Sequence, residues 1–170
     1  MHVLIATTGA LSPGPAVEFT SLLLGDSGRV SVTTVIEVPR SFLKQLRGEG
    51  WHPLGNPDQT DGLQTEDDAV IARYVAERAR RLTEPVINAL RAEGIAAEAI
   101  YLEGADPAVS ISRLADEIDA DVVVLGATRR IFDQAAWESV SARVMIESGR
   151  PVLVVPPTRQ DAKPPEDDAE

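Results

Sequence analysis

Residues 105–127, ADPAVSISRLADEIDADVVVLGA, contain both a helix and the strand that follows it. Asp106 followed by Pro107 is a strong helix start, because aspartate favours the N-cap and proline favours the first turn. Apolar residues then recur at helical spacing, which predicts a buried stripe of Ile111, Leu114, Ala115 and Ile118. The run DVVVLGA, residues 121–127, does not alternate polar with apolar residues, so both faces of this strand should be covered. The stretch therefore predicts one helix–strand unit of a parallel sheet.

Four further segments around this unit predict the other strands. They are HVLIA (residues 2–6), RVSVTTVIEV (29–38), IAAEAIYLEG (95–104) and PVLVV (151–155). Helical patterns separate these segments, so strand and helix alternate along the chain. The alternation predicts an α/β fold: an open five-stranded mostly parallel sheet with helices on both faces, Rossmann-like in architecture.

The helical segment that precedes the third strand is the longest. Thr65 with Asp68 three residues later resembles a capping box and predicts its start, and Gly94 predicts its end. Pro85 interrupts the apolar stripe, which predicts either a kink or a second helix capped by Thr83. Two shorter helices are predicted as well, one ending near Gly25 and one extending from about Gln134 to Ser148.

Two segments fall outside this alternation. Residues 39–64 are rich in Gly, Pro, Asn and Asp and are predicted to form a variable loop insertion. This loop would be either a lid over a binding site or a disordered surface insertion. Residues 158–170 are acidic with little apolar content and are predicted to be a disordered tail. The remaining 1–157 form one predicted domain, for which we expect a cytoplasmic location because no signal peptide or membrane span is recognisable.

The composition excludes several classes of site. The chain has no cysteine and only two histidines, so disulfides, thiolate nucleophiles and cysteine zinc sites are excluded. A Ser-His-Asp triad would need His2 or His52, and His2 lies at the very start of a strand. The net charge of −11 disfavours a large nucleic-acid surface. We therefore expect a protein that is not an enzyme, binds no metal and contacts neither nucleic acid nor membrane.

An open parallel sheet binds ligands beyond the carboxyl ends of its strands, where the strand order reverses. In this chain the two walls of that crevice would be the loops after the first and fourth strands, residues 6–13 and 126–136. Such crevices commonly hold phosphate groups.

Three stretches together resemble the universal stress protein family: HVLIATTG, EGADPAVSISRLADEIDADVVVLGA and SVSARVMIESGRPVLVVPP. The resemblance extends over nearly all of residues 1–157, apart from 39–64. It implies the strand order 3-2-1-4-5 and a homodimer formed by pairing the last strands, from Pro151 to Val155, of two subunits. Pairing would also cover an apolar edge strand that is otherwise an aggregation hazard.

Members of this family that bind ATP usually have G-x-x-G, nine residues, and then Gly followed by Ser or Thr after the fourth strand. The glycines let backbone N–H groups approach the phosphates. Here Gly126 matches the first glycine, whereas Arg129 and Glu138 occupy the second and third positions, and Ser139 is retained. Thr8 stands where the family often has an acidic residue near the adenosine.

These replacements predict that a triphosphate is not held in the usual way. Glu138 would place a negative charge beside the phosphates, which costs up to about 4 kcal/mol at ~4 Å and an effective dielectric of ~20. An Arg129–Glu138 salt bridge would close the site, although both side chains could instead point to water. Arg129 and Arg130 could also bind phosphate in another geometry.

Two functions follow from the resemblance. The first is a non-enzymatic stress-response homodimer that does not bind ATP in the usual way and acts through an unknown protein partner. The alternative is an adenine-nucleotide sensor that binds AMP, ADP, cyclic AMP or ATP, with or without Mg. In such a sensor, a nucleotide with fewer phosphates would meet less repulsion from Glu138. If a nucleotide binds, the candidate contact residues are Ala6, Thr7, Thr8, Val35, Leu125, Gly126, Thr128, Arg129, Arg130, Ser139, Val140 and Ser141.

Overall fold

A computed structural model of the chain describes residues 1–9, 11–25, 27–38, 60–127 and 139–156. Within these ranges a five-stranded sheet has the order β3-β2-β1-β4-β5. The strands are β1 His2–Ala6, β2 Arg29–Ile36, β3 Ala97–Glu103, β4 Val122–Gly126 and β5 Val152–Val155. Every neighbouring pair is parallel. The predicted fold class and strand order are confirmed.

Helices cover both faces of this sheet. They are α1 Pro13–Leu24, α2 Thr60–Ala92, α3 Pro107–Glu117 and α4 Val140–Glu147. α1 and α2 pack on one face, where Val17 and Leu90 join a core with Val3 and Ile5 of β1. α3 and α4 pack on the other face. No helix in the described ranges is long and apolar enough to cross a membrane.

The central strands β1 and β4 are buried along nearly their whole length because both of their faces are covered. Every residue of β1 is buried, and so are the four residues 122–125 of β4. Alternate residues supply the two cores: Val3 and Ile5 face α1 and α2, whereas Leu4 faces α3 and α4. The prediction of a strand buried on both faces is confirmed for β4.

The predicted start of α2 is wrong. The helix begins at Thr60 rather than Thr65, so the predicted capping-box threonine lies inside the helix. The alternative of a second helix capped by Thr83 is also wrong, because α2 continues through Pro85 to Ala92. The Thr83 hydroxyl instead donates a hydrogen bond to the Ala79 carbonyl at 3.0 Å, within the same helix.

The predicted start of α4 at Gln134 is wrong too. A helix from that residue would have to include Ser139, whose backbone is extended with φ −65° and ψ 149°. Ser139 is the N-cap of α4, and its hydroxyl accepts a hydrogen bond from the Ala142 N–H at 3.2 Å. The serine cap therefore fixes the beginning of this helix at Val140.

Candidate functional site

The centre of the sheet has the geometry that favours a binding crevice. β1 lies between β2 and β4. The chain therefore continues from β1 to β2 on one side of the sheet and from β4 to β5 on the other, which leaves a gap between the loops after β1 and β4. A cavity of about 630 Å³ opens there, between the loops that follow the two strands. We refer to it as the switch-point cavity. Its volume lies within the range of small-molecule sites, about 300–1,000 Å³.

Eight of the candidate residues named from the sequence line the switch-point cavity. They are Ala6, Thr7, Thr8, Val35, Leu125, Gly126, Val140 and Ser141. Ser139 adjoins them as the N-cap of α4. Thr128, Arg129, Arg130 and Glu138 lie outside the described residues. The Arg129–Glu138 salt bridge therefore stays a prediction.

Nine further residues complete the lining. Five of them belong to the two loops predicted to form the walls of the crevice: Gly9, Leu11, Ser12, Pro13 and Ala127. The other four were not indicated by the sequence: Thr34, Pro85, Pro107 and Ile111. One signal could have found part of this set. A helix that follows a parallel strand begins near the strand's carboxyl end, so Pro107, the first residue of α3, was a candidate.

Three helices begin at this cavity. Pro13 opens α1, Pro107 opens α3 and Val140 opens α4, and all three line the wall. The amino end of a helix carries a partial positive charge and N–H groups without a partner in the helix. None of the three has an acidic residue in its first turn. The amino ends of α1 and α4 therefore favour an anionic group electrostatically, whereas the Asp106 carboxylate already caps that of α3.

The hydroxyl groups of the wall differ in their hydrogen bonding. Thr7 Oγ1 accepts a hydrogen bond from the Gly9 N–H at 2.9 Å. Ser141 Oγ donates to the Gly126 carbonyl at 3.0 Å, which joins the first turn of α4 to the end of β4. Thr34 Oγ1 is buried and has no partner in the described part of the chain. Two of these hydroxyls thus hold the wall in shape, and one does not.

Two glycines of the wall have different reasons to be glycine. Gly9 has φ +86°, a left-handed conformation that side chains other than glycine rarely adopt. Gly126 is not among the positive-φ glycines of the described residues. A Cβ at Gly126 would lie 3.4 Å from Leu11 Cα, an ordinary contact. Gly126 thus keeps the end of β4 uncovered without being required by the backbone.

Charged groups connect the amino-terminal parts of α3 and α4. The Asp106 carboxylate caps α3 by accepting hydrogen bonds from the N–H groups of Ala108 and Val109. Arg143 Nη1 donates to both oxygens of the same carboxylate at 2.9 Å. The hydrogen bond from Arg143 and those from the helix backbone lower the pKa of Asp106, whereas desolvation acts in the opposite direction. The pair fixes two of the helix ends that border the cavity.

A serine–histidine hydrogen bond occurs elsewhere, toward the amino end of the sheet. His2 Nε2 lies 2.9 Å from Ser31 Oγ. Such a pair can generate a nucleophile when substrate reaches the serine. Ser31 is only 1% exposed, so the pair is shielded from any substrate. This contact could not be predicted from the sequence, because the two residues lie on different strands.

A metal site is not apparent in the described ranges. No group of three or more Asp, Glu or His side chains there is close enough to hold an ion. The switch-point cavity is a mostly apolar pocket with hydroxyl groups and helix amino ends at its rim.

Known proteins share both the sequence pattern and the fold. A family model described as the universal stress protein family matches residues 1–156. Universal stress protein Sll1654 of Synechocystis is 37% identical over 126 residues, covering 74% of this chain and 73% of the relative.

Two solved structures illustrate the shared fold. A universal stress protein family protein from Arabidopsis thaliana, with AMP bound, has a TM-score of 0.55 at 15% identity, covering 96% of this chain and 95% of that one. A universal stress protein in complex with cAMP has a TM-score of 0.52 at 18% identity, covering 93% and 98%. With the fold, the sheet order and the family model in agreement, the chain belongs to the universal stress protein family.

Proposed function

We propose that this universal stress protein is a non-enzymatic stress-response protein that binds an adenine nucleotide with few phosphates in the switch-point cavity. The observation that carries the proposal is the cavity itself, which lies between the ends of β1 and β4. Eight of the residues that line it are predicted from the sequence as nucleotide contacts. Leu11, Val35 and Pro85 contribute apolar surface suited to a base. The amino ends of α1 and α4 suit a phosphate.

The preference for few phosphates rests on the sequence of the loop after β4. Arg129 and Glu138 replace two glycines of the triphosphate-binding pattern, and Glu138 adds a negative charge. Repulsion grows with the number of phosphates, so a monophosphate is penalised least. The two solved structures of relatives with this fold contain AMP in one case and cAMP in the other. Both named ligands carry a single phosphate, which agrees with the proposal.

The proposal includes a homodimer that forms through β5. This strand lies at one edge of the sheet, and its outer backbone groups have no neighbouring strand in the described ranges. On one face of the sheet, the exposed side chains Phe19 and Leu22 of α1 line a shallow groove with residues 151–153 at β5. Met145 and Ile146 are exposed on α4, the helix that precedes β5 and packs on the other face. An exposed edge bordered by apolar surface favours pairing with a second copy of the chain.

Nucleotide titration tests the binding proposal. Thermal unfolding is followed with AMP, cyclic AMP, ADP and ATP, the last two with magnesium. A ligand at about 100 times its Kd adds roughly 2.7 kcal/mol of stability, which is several degrees for a domain of this size. We expect AMP or cyclic AMP to raise the Tm and ATP to raise it less.

Matched variants connect any shift to the switch-point cavity. Val35→Phe adds a ring to the wall and should abolish the shift, with Val140→Phe as a second variant of the same kind. Val109→Phe adds the same ring on α3 outside the wall, at a residue that is 41% exposed, and should bind like the wild type. No shift with any nucleotide would contradict the proposal and favour action through a protein partner alone. A larger shift with ATP than with AMP would contradict the preference for few phosphates.

A further inference from the structure

The α2 helix is weakened near Pro85. Proline has no N–H, so the Arg81 carbonyl lacks the hydrogen bond that it would accept from that position of the helix. Two residues earlier, the Thr83 hydroxyl donates to the carbonyls of Ala79 at 3.0 Å and Arg80 at 3.3 Å. A proline inside a helix and a hydroxyl bonded back to the preceding turn both favour bending. The helix should therefore bend most easily at this point.

The same position divides the packing of α2. Before Pro85, the side chains of Val75 and Ala79 are buried in a small cluster on β2. After it, Val86 and Leu90 are buried in the larger core that contains β1. The two parts of the helix are thus held by different sets of contacts, and the smaller set holds the part that precedes the proline.

We refer to residues 69–84 as the amino segment of α2 and to residues 86–92 as its carboxyl segment. Pro85, between them, is part of the lining of the switch-point cavity. The amino segment also packs on the loop after β1, because a Cβ at Gly9 would lie only 2.9 Å from Leu82 Cδ2. Gly9 lines the cavity as well. A ligand in the cavity would therefore contact both the weak point of the helix and the loop that supports its amino segment.

We propose that Pro85 is a hinge through which occupancy of the switch-point cavity fixes the position of the amino segment. A bound ligand packs against Pro85 and the loop after β1, so it interacts differently with the bent and the fixed states and shifts the balance between them. The exposed side chains of the amino segment include Arg73, Arg78 and Arg80, a basic surface on a protein of net charge −11. The hinge would present this surface in one position when the cavity is filled. The inference rests on the proposed function for the identity of the ligand.

Amide hydrogen exchange of the full-length protein, followed by mass spectrometry, tests the hinge first without ligand. We expect the amino segment to exchange at least about tenfold faster than the carboxyl segment, because segments held by different cores open independently. Pro85→Ala restores an N–H for the Arg81 carbonyl, so the two segments should exchange within about threefold of each other. Glu84→Ala is the matched control. It introduces the same residue at the neighbouring exposed position without restoring an N–H, and it should exchange like the wild type.

The second comparison adds AMP to the wild type at a concentration that calorimetry shows to be saturating. AMP should slow exchange of the amino segment about fivefold more than that of the carboxyl segment. This comparison, like the one between the two segments without ligand, does not depend on the folding of any variant. In Pro85→Ala, saturating AMP should slow both segments to the same extent.

Three results would overturn the hinge while leaving nucleotide binding intact. They are equal exchange of the two segments in the wild type, an equal change in Pro85→Ala and Glu84→Ala, and a wild-type ratio that saturating AMP leaves unchanged. A wild-type protein that binds no AMP would overturn the proposed function and the coupling to it. The comparison of the ligand-free variants would then still decide whether the helix bends at Pro85.

Discussion

His2 connects three parts of the chain at the amino end of the sheet. Its backbone N–H donates to Asp121 Oδ2 at 2.6 Å, and its ring nitrogens contact the Ile118 carbonyl and the Ser31 hydroxyl. A carbonyl can only accept, so Nδ1 carries the proton and donates to Ile118 at 3.0 Å. Nε2 then accepts from Ser31. The histidine is therefore a buried structural residue whose tautomer is set by the fold.

Replacing this ring should cost stability. In His2→Leu the Ser31 hydroxyl and the Ile118 carbonyl both lose a partner inside the protein, and we expect a loss of about 1–3 kcal/mol in the free energy of unfolding. Urea unfolding of His2→Leu, Ser31→Ala and the double variant gives the coupling between the two residues. The double variant should be less destabilised than the sum of the single ones. Additive losses would show that the Ser31–His2 bond contributes nothing of its own.

At the scale of the elements, the Asp106–Arg143 pair joins α3 to α4, although its two residues are 37 positions apart in the sequence. The aspartate satisfies the first turn of α3, and the arginine extends from the second turn of α4, where it also pairs with Glu147 at 2.9 Å. Asp106 and Glu147 both raise the pKa of Arg143, so the guanidinium remains charged at every accessible pH. Within the Asp106–Arg143 pair, the aspartate is therefore the residue that titrates in the acid range.

This pair predicts how stability depends on pH. The pKa of Asp106 is lower in the folded protein than its ordinary value, so its contribution is present above the unfolded pKa, about 3.9, and is lost as the pH falls through the folded pKa. Asp106→Asn keeps the cap, because asparagine caps as well as aspartate, but it cannot titrate. The difference in Tm between the wild type and Asp106→Asn should shrink as the pH is lowered from 6 to 2.

Arg143→Met provides the second arm of that experiment. Its hydrogen bond is the largest cause of the lowered pKa, so the variant should lose stability at a higher pH than the wild type does. A Tm difference that stays constant across the acid range would contradict the account.

The same helices show which element boundaries a sequence can predict. The start of α3 was predicted correctly, because the Asp106 cap depends on residues only a few positions away. The Ser139 cap of α4 is equally local, although the predicted start at Gln134 missed it. The α2 helix depends on its surroundings instead. It continues through Pro85 because Ala79, Val86 and Leu90 pack into the buried cores around the proline. Local patterns contain no information on that packing, so the alternative of a second helix capped by Thr83 failed.

For the molecule as a whole, the fold class determined which loops would meet, and the sequence was sufficient for that step. Alternating strands and helices place the loops after β1 and β4 at one crevice, so Thr8 and Gly126 could be assigned to the same wall. Thr34 and Pro85 could not be, because one comes from the inner part of β2 and the other from α2. Their positions depend on packing across the face of the sheet.

The hydrogen bonds between β4 and β5 determine which backbone groups of β5 face outward. The carbonyls of Pro151 and Val155 accept from the N–H groups of Val123 and Ala127. In a parallel pair, alternate residues of a strand face the same neighbour, so the backbone groups of Val152 and Val154 point away from β4. The N–H of Val154 is therefore available to a strand of a second subunit.

Val154→Pro tests the proposed homodimer without disturbing the subunit. Proline removes an outward N–H and is tolerated on edge strands, so the bonds between β4 and β5 should persist. By sedimentation at micromolar concentration we expect a dimer for the wild type and a monomer for Val154→Pro, with the far-ultraviolet circular dichroism spectrum retained. Val70→Glu, an exposed position on α2, which packs on β2 and β3 near the opposite edge, should remain dimeric. A dimeric Val154→Pro would show that two subunits associate through another surface, and the exposed α1 residues Phe19 and Leu22 would then be the next to change.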